Sequence, residues 1–294
     1  MSGSRLAPAL VARMVARQFP RWAGLPVTAV HSSGTDNTLF RLGTDMVVRL
    51  PAMPRAVPML RREWEWLPRL AAHLPLPVPL PLGAGVPDGD FPYPWSVYGW
   101  IDGDTVADSP DLDLDGVAVR LGRFVAALQR IDTTGGPRSL RAQPLGPHDD
   151  EVRDAIDRLA AGGLVDPERA AAVWRDALAA PPWDGAPVWL HGDLIPANLL
   201  VRQGRLSAVI DFGLTGLGDP ATDLQPAWAV LTEGSRDLFR AQLGVDEATW
   251  RRGRGWALRA GLGAVRTYRY TNPVLAAAGR HSLAQVMADF EVRP

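Results

Sequence analysis

The chain contains no cysteine and no lysine, so all 31 of its basic residues are arginine. Absence of cysteine excludes disulfides, thiolate metal sites and thiol catalysis. Charge of one sign is not in excess either: 32 acidic residues leave a formal net charge of −1. No overall field draws the molecule to nucleic acid or to an anionic membrane, and neither is expected as a partner. A long apolar segment is also missing. The longest uncharged run, Leu74 to Pro87, holds five prolines and cannot cross a bilayer as a helix. Leu6 to Phe19 is interrupted by Arg13 and Arg17. It reads as an amphipathic helix rather than a secretory leader, which makes the cytoplasm the expected compartment. What the 294 residues do contain is 47% hydrophobic side chains, 29 Gly, 27 Pro and 11 Trp, enough for a substantial core in one large domain or two lobes. Two lobes are the expectation.

The first hundred residues read as a small antiparallel sheet. Val27–Val30 and Thr38–Leu42 flank the small-residue tip His31-Ser32-Ser33-Gly34-Thr35-Asp36-Asn37, and Met46–Leu50 follows a turn at Gly43-Thr44-Asp45. Leu60, Trp64, Leu67 and Leu70 predict a helix over Met59–His73, and Phe91–Ile101 (FPYPWSVYGWI) predicts a strand. The turn Asp102-Gly103-Asp104 divides lobe 1–101 from lobe 102–294. Beyond it the spacing predicts helices over Val117–Ile131, Asp149–Ala161, Pro167–Ala179, Gly218–Leu231, Ser235–Leu243 and Ala248–Tyr270. Two strand-like runs joined at Gln203-Gly204 interrupt them. The pattern is that of an α+β chain, with the sheet first and the helices after it.

The interruption carries the chemistry. His191-Gly192-Asp193 is followed by Asn198, and, past the hairpin, by Asp211-Phe212-Gly213. Phosphoryl transfer needs hard oxygen ligands for a divalent metal on the phosphates, which Asn198 and Asp211 offer, and a carboxylate beside the attacking hydroxyl, which Asp193 offers. The Asp-to-Asn offset is that of the kinase catalytic loop, with Gly192 where Arg is usual. Single Asp, Asn and Gly residues are ordinary turn formers. Three such elements in this order at these spacings point to a site.

HGDLIPANLLV (191–201), VIDFG (209–213) and GDPATDL (218–224) resemble the aminoglycoside phosphotransferase family, kinases of small molecules with a bilobal protein-kinase-like fold. The likeness runs from about Val27 to Asp289. It implies an N-terminal nucleotide-binding lobe and a C-terminal catalytic and acceptor-binding lobe, with Asp193 as catalytic base and Asn198 and Asp211 as ligands of Mg²⁺. His191 and Asp223 would support the catalytic loop. Asp219 reads as a first-turn acid at a helix start and stays outside the site. The same template puts Arg49 on the α/β-phosphates and Glu63 on the following helix to position it. Arg there replaces the usual Lys, keeping the charge but presenting a planar fork. Gly34, Thr35, Asp36 and Asn37 form the candidate phosphate-covering turn, and Tyr98-Gly99-Trp100-Ile101 resembles the hinge that meets the purine.

The implied reaction is transfer of a γ-phosphoryl group from ATP or GTP to a hydroxyl of a small molecule. An aminoglycoside or other antibiotic is one acceptor class, and a metabolite such as an amino alcohol or sugar is another. A catalytically silent nucleotide-binding module is a third reading, raised by Arg49 and the single-glycine turn. No A-P-E element follows the DFG-like motif, which sets the chain apart from protein kinases. Asp149, Asp150, Glu151, Asp154 and Asp157 have the spacing to meet a cationic acceptor, but such runs are usually solvated helix faces. Trp228, Trp250, Trp256, Tyr268 and Tyr270 have the spacing of core aromatics.

Overall fold

A computed structural model describes residues 6–292, which divide into two compact units. The first takes the chain up to Ala72, Pro77–Asp102 and Val209–Gly213; the second takes His73–Leu76, Gly103–Ala208 and Leu214 onward. No helix among the described residues is long and apolar enough to cross a membrane.

In the first unit helix α1 (Pro8–Gln18) precedes strands β1 (Val27–Val30), β2 (Asn37–Leu42) and β3 (Met46–Pro51). Helix α2 (Ala56–Ala71) and strands β4 (Pro81–Gly85) and β5 (Trp95–Gly99) follow. The five strands form an antiparallel sheet in the order β1-β2-β3-β5-β4. One face is covered by α1: Val11, Met14 and Val15 pack on Phe40, Leu42, Val48, Leu50, Trp95 and Val97. Successive strand side chains alternate between faces. With Val48, Leu50 and Val97 on the α1 face, Arg49, Ser96 and Tyr98 are left on the other, and Arg49 lies opposite Ser96 in the register. That alternation decides which side chains reach Glu63. Strand β5 is shorter than the predicted Phe91–Ile101 run because Pro92 and Pro94 cannot join a central ladder. Edge strand β4, sequence PLGAG, has the composition of a loop; a Cβ on Gly85 would meet the Trp95 ring at 2.1 Å, so this strand admits only glycine there.

Helix α2 buries Leu60, Glu63, Trp66, Leu67 and Leu70. Glu63 sits within the apolar stripe, and Trp66 rather than the expected Trp64 joins it.

The second unit contains β6 (Asp104–Thr105), α3 (Leu114–Gln129), α4 (Asp149–Ala161), α5 (Pro167–Ala179), β7 (Val188–Leu190), β8 (Leu199–Arg202) and most of β9 (Arg205–Val209). Strand β10 (Gly216–Gly218) and helices α6 (Pro226–Ala229), α7 (Glu233–Leu243), α8 (Glu247–Tyr268) and α9 (Pro273–Val292) complete it. Gln203 (φ 52°) and Gly204 (φ 73°) turn β8 into β9, the two-residue geometry with both central residues left-handed that suits a hairpin. The predicted helix over Gly218–Leu231 is not continuous. Gly218 ends β10, Pro220–Leu224 makes a 3-10 turn capped by Asp219, and only Pro226–Ala229 is α-helical. Prolines at 220 and 226 each restart the backbone at an N-terminal position. Trp228 and Trp250 are fully buried and their rings lie 4.7 Å apart, whereas Tyr270 is 84% exposed.

Helix α9 has no counterpart among the predicted elements, since its first buried positions, Ala276, Gly279 and Ser282, are small and only Leu283 and Val286 add large apolar groups to the pattern. It is held by Asp289, which accepts from Arg236 Nη1 and Trp228 Nε1, both at 3.1 Å.

Candidate active site

In the first unit the sequence-predicted residues Arg49, Glu63 and Asp211 meet. Arg49 Nη1 donates to both Glu63 oxygens at 2.8 and 2.7 Å, and Nη2 donates to Asp211 Oδ1 at 3.1 Å. Glu63, fully buried, also accepts from the Tyr98 hydroxyl at 3.2 Å and the Phe212 N–H at 3.1 Å. Burial raises the Glu63 carboxyl above its ordinary range, while the guanidinium and the Phe212 N–H pull it back. Every group aimed at it is a donor, so the site is built for the carboxylate. Burial disfavours the Arg49 cation, but Glu63 and Asp211 more than offset this and its pKa is raised. Burial and the neighbouring Glu63 charge raise the Tyr98 phenol, which stays a neutral donor. Asp211 itself is 41% exposed at the side chain and adopts a left-handed backbone (φ 66°), strain of about 1–3 kcal/mol of the kind that concentrates at functional sites.

The remaining predicted nucleotide contacts are distributed differently. Asp36 is turned to Arg55 at 3.0 Å and its carbonyl accepts from Ala52 N–H at 2.8 Å, so it ties the turn down. Gly34 N–H donates to Ser32 Oγ at 3.0 Å, and the Asn37 amide oxygen is buried without a hydrogen-bond partner. Tyr98 faces inward, with its hydroxyl on Glu63. The Gly99 and Trp100 N–H groups donate to Leu80 O at 2.9 Å and Asp45 O at 2.7 Å. Trp100 Nε1 donates to Asp102 Oδ1 at 2.7 Å, and the Arg41 guanidinium lies 3.9 Å from the Trp100 ring centre. A purine approaching this stretch therefore meets neither of those two N–H groups unpaired.

In the second unit the loop that carries Asp193 is fixed from beneath by Asp223. Its carboxylate accepts from His191 N–H at 2.6 Å and Gly192 N–H at 2.8 Å. Burial pushes the Asp223 carboxyl up to about 6 despite those two donors, and the Asp193 charge adds to the shift. Gly192 is left-handed (φ 83°), and a Cβ there would lie 2.9 Å from the Leu214 carbonyl oxygen. This explains why glycine stands where the kinase template has Arg. Asp193 N–H donates to His191 Nδ1 at 3.2 Å, and Asn198 Nδ2 donates to both Asp193 O (2.9 Å) and Asp193 Oδ2 (3.0 Å). The amide is thereby oriented with its oxygen, a hard donor, turned away from Asp193. That amide oxygen and, in the first unit, the partly exposed Asp211 carboxylate are each of the hard oxygen type that magnesium takes.

Arg141, on no sequence motif, places Nη2 3.8 Å from Asp193 Oδ1. Tyr98 was within reach of sequence reasoning through strand alternation; Arg141 was not. The acidic run of α4 is paired with arginines: Asp149 with Arg153 (2.9 Å), Glu151 with Arg259 (2.8 Å), and Asp154 with Arg158 (2.7 Å) and Arg266 (3.5 Å).

Known proteins resemble this chain along most of its length. Residues 27–256 match the phosphotransferase enzyme family, APH. Among solved structures, the GDP complex of wild-type aminoglycoside 2′-phosphotransferase-IIIa is 20% identical with a TM-score of 0.73, covering 97% of this chain and 100% of that one. Macrolide 2′-phosphotransferase MphH from Brachybacterium faecium is 25% identical with a TM-score of 0.61, covering 95% and 97%. The streptomycin–ATP–APH(2″)-IIa ternary complex is 17% identical with a TM-score of 0.60, covering 91% and 93%. A comparison with curated protein sequences returns no match. The chain has the α+β kinase-like fold and belongs to the phosphotransferase enzyme family, enzymes that move a phosphoryl group to a hydroxyl.

Proposed function

We propose that the protein transfers the γ-phosphoryl group of ATP or GTP to a hydroxyl of a small molecule. The observation that carries this reading is the double hydrogen bond from Asn198 to Asp193, on a loop whose backbone is locked by Asp223. It holds Oδ2 of the Asp193 carboxylate and fixes the orientation of the group that is to meet a hydroxyl. In the step, the acceptor oxygen attacks the γ-phosphorus as its proton passes to Asp193. The bond from that phosphorus to the β–γ bridging oxygen breaks, and nucleoside diphosphate departs. Arg49, held by Glu63, steadies the α/β-phosphates. Asn198 and Asp211 would hold magnesium, which when bound neutralises charge on the phosphates.

The acceptors named for the structural relatives are aminoglycosides and a macrolide. A polycationic aminoglycoside calls for several unpaired carboxylates, and three of the five acids of the α4 run, Asp149, Glu151 and Asp154, are already engaged by arginines. This favours a hydroxylated acceptor of low positive charge. The test is diphosphate release by the purified protein with Mg²⁺ and ATP or GTP, across aminoglycosides, macrolides, choline and small sugars. Stimulation by one class, lost by about 10²–10⁴ in Asp193→Asn, is the expected result. Wild-type turnover in that variant would remove Asp193 from the chemistry, and stimulation by aminoglycosides alone would overturn the charge argument.

A further inference from the structure

The segment from Asp193 to Asn198 carries Leu194, Ile195, Pro196 and Ala197 and no basic residue. Charge developing on the transferring phosphoryl group must therefore be met from elsewhere in the chain. Arg141 is so placed. Its Nη2 stands 3.8 Å from Asp193 Oδ1, the oxygen that does not take the Asn198 bond, too far for a hydrogen bond and with the side chain 39% exposed. A hydroxyl held by Asp193 would put the attacked phosphorus about 3–3.5 Å beyond it. The guanidinium is then within reach of the equatorial phosphoryl oxygens.

The backbone that presents Arg141 is tightly built. Arg141 N–H donates to Ser139 Oγ at 3.1 Å, and that hydroxyl donates to Leu214 O at 2.8 Å. Ser139 N–H donates to Leu217 O at 3.0 Å, while Leu217 N–H donates to Pro137 O at 2.7 Å. Ser139 is buried. Loop 137–142 is thus stitched to the residues that directly follow Asp211-Phe212-Gly213, which fixes the backbone from which the Arg141 guanidinium reaches, and a cation held near the developing charge is what electrostatic catalysis requires. The pair with Asp193 has no comparable structural purpose, since a partly exposed ion pair without a hydrogen bond contributes little to stability.

We propose that Arg141 is a catalytic residue that hydrogen-bonds the phosphoryl group in transit from nucleotide to acceptor. The inference rests on Asp193 as the base. Its test compares wild type, Arg141→Ala and Arg141→Lys for binding of Mg²⁺ with ADP or GDP, alone and with aluminium fluoride, a planar mimic of the phosphoryl group. Wild type should bind the diphosphate more tightly when fluoride is present. Arg141→Ala should bind diphosphate alone as the parent does, lose about tenfold or more of the fluoride gain, and lower kcat by about 10²–10³ at unchanged Tm. Arg141→Lys should recover part of both, as a point charge without the fork. A fluoride gain absent from wild type, a gain undiminished in Arg141→Ala, or an effect confined to acceptor KM would each overturn the proposal. Asp193→Asn separates the two ideas. An inactive Asp193→Asn beside a fully active Arg141→Ala rejects Arg141 alone, and an active Asp193→Asn rejects the base assignment with it.

Discussion

One nitrogen of Arg49 is shared between both carboxylate oxygens of Glu63, at 2.8 and 2.7 Å, which leaves the second nitrogen for Asp211 at 3.1 Å. A lysine ammonium is a compact point charge and has no rigid second arm. The arginine in this position therefore joins helix α2 to the Asp211-Phe212-Gly213 turn, and Phe212 N–H on Glu63 closes the same ring.

Arg49→Lys should keep the Glu63 pair and lose the Asp211 bond. Loss of one charge-assisted hydrogen bond, about 1.5–3 kcal/mol, is expected as a tenfold or greater weakening of Mg²⁺–nucleotide binding. Arg49→Ala leaves Glu63 buried and uncompensated and should destabilise the fold by about 3–5 kcal/mol in denaturant unfolding. Unfolding indistinguishable from the parent would show that Glu63 is satisfied without Arg49.

Tyr98→Phe removes a buried hydroxyl that donates to Glu63 at 3.2 Å while leaving the ring in place. A stability loss of about 0.5–1.5 kcal/mol is expected. Nucleotide KM should rise more than acceptor KM, because the affected carboxylate orients Arg49. A change limited to acceptor KM would place Tyr98 elsewhere in the mechanism.

Asp223 has a folded-state pKa of about 6 against an ordinary 3.8. The folded protein holds this proton more tightly than the unfolded chain, so the contribution is fully present below 3.8 and is lost as pH rises through 6. A shift of this size corresponds to roughly 3 kcal/mol. Unfolding free energy measured from pH 4 to 7 should show a downward component in wild type that disappears in Asp223→Asn. The same variant should lower turnover, since an amide nitrogen would face the His191 and Gly192 N–H donors. Identical pH profiles for the two proteins would show that Asp223 titrates normally.

Gly192→Ala must place a Cβ 2.9 Å from Leu214 O at a φ of 83°. Destabilisation of about 1–3 kcal/mol is expected, together with reduced turnover from a displaced Asp193. A variant with parental stability and activity would show that the loop yields without cost.

Much of the site was legible before the structure because phosphoryl transfer needs particular residue types at short, fixed offsets. Asp193 to Asn198 is one loop and Asp211 to Gly213 one turn, and local spacing is what a sequence displays. Helices α4 and α5 were legible to the residue: Asp149–Ala161 has apolar positions at regular spacing, and Asp166 and Pro167 mark the start of Pro167–Ala179. Helix α9 and strand β4 were not, since Ala, Gly and Pro carry almost no periodic signal and are recruited by what packs on them.

Local sequence by itself therefore determined the order of the chemical groups, the hairpin at Gln203-Gly204 and the class of reaction. Only the tertiary structure decided their partners. Arg49 found Asp211 across 162 positions of chain, Tyr98 found Glu63 across 35, and Arg141 came beside Asp193 through a loop with no motif of its own. Glu151 and Asp154 of α4, whose run reads in sequence as a solvated helix face, were claimed by Arg259 and Arg266 of α8. The physical reason is common to all of these: a charge or a hydroxyl is satisfied by whatever donor or acceptor folding brings within about 3 Å, and that neighbour is set by packing between elements rather than by nearness in the chain.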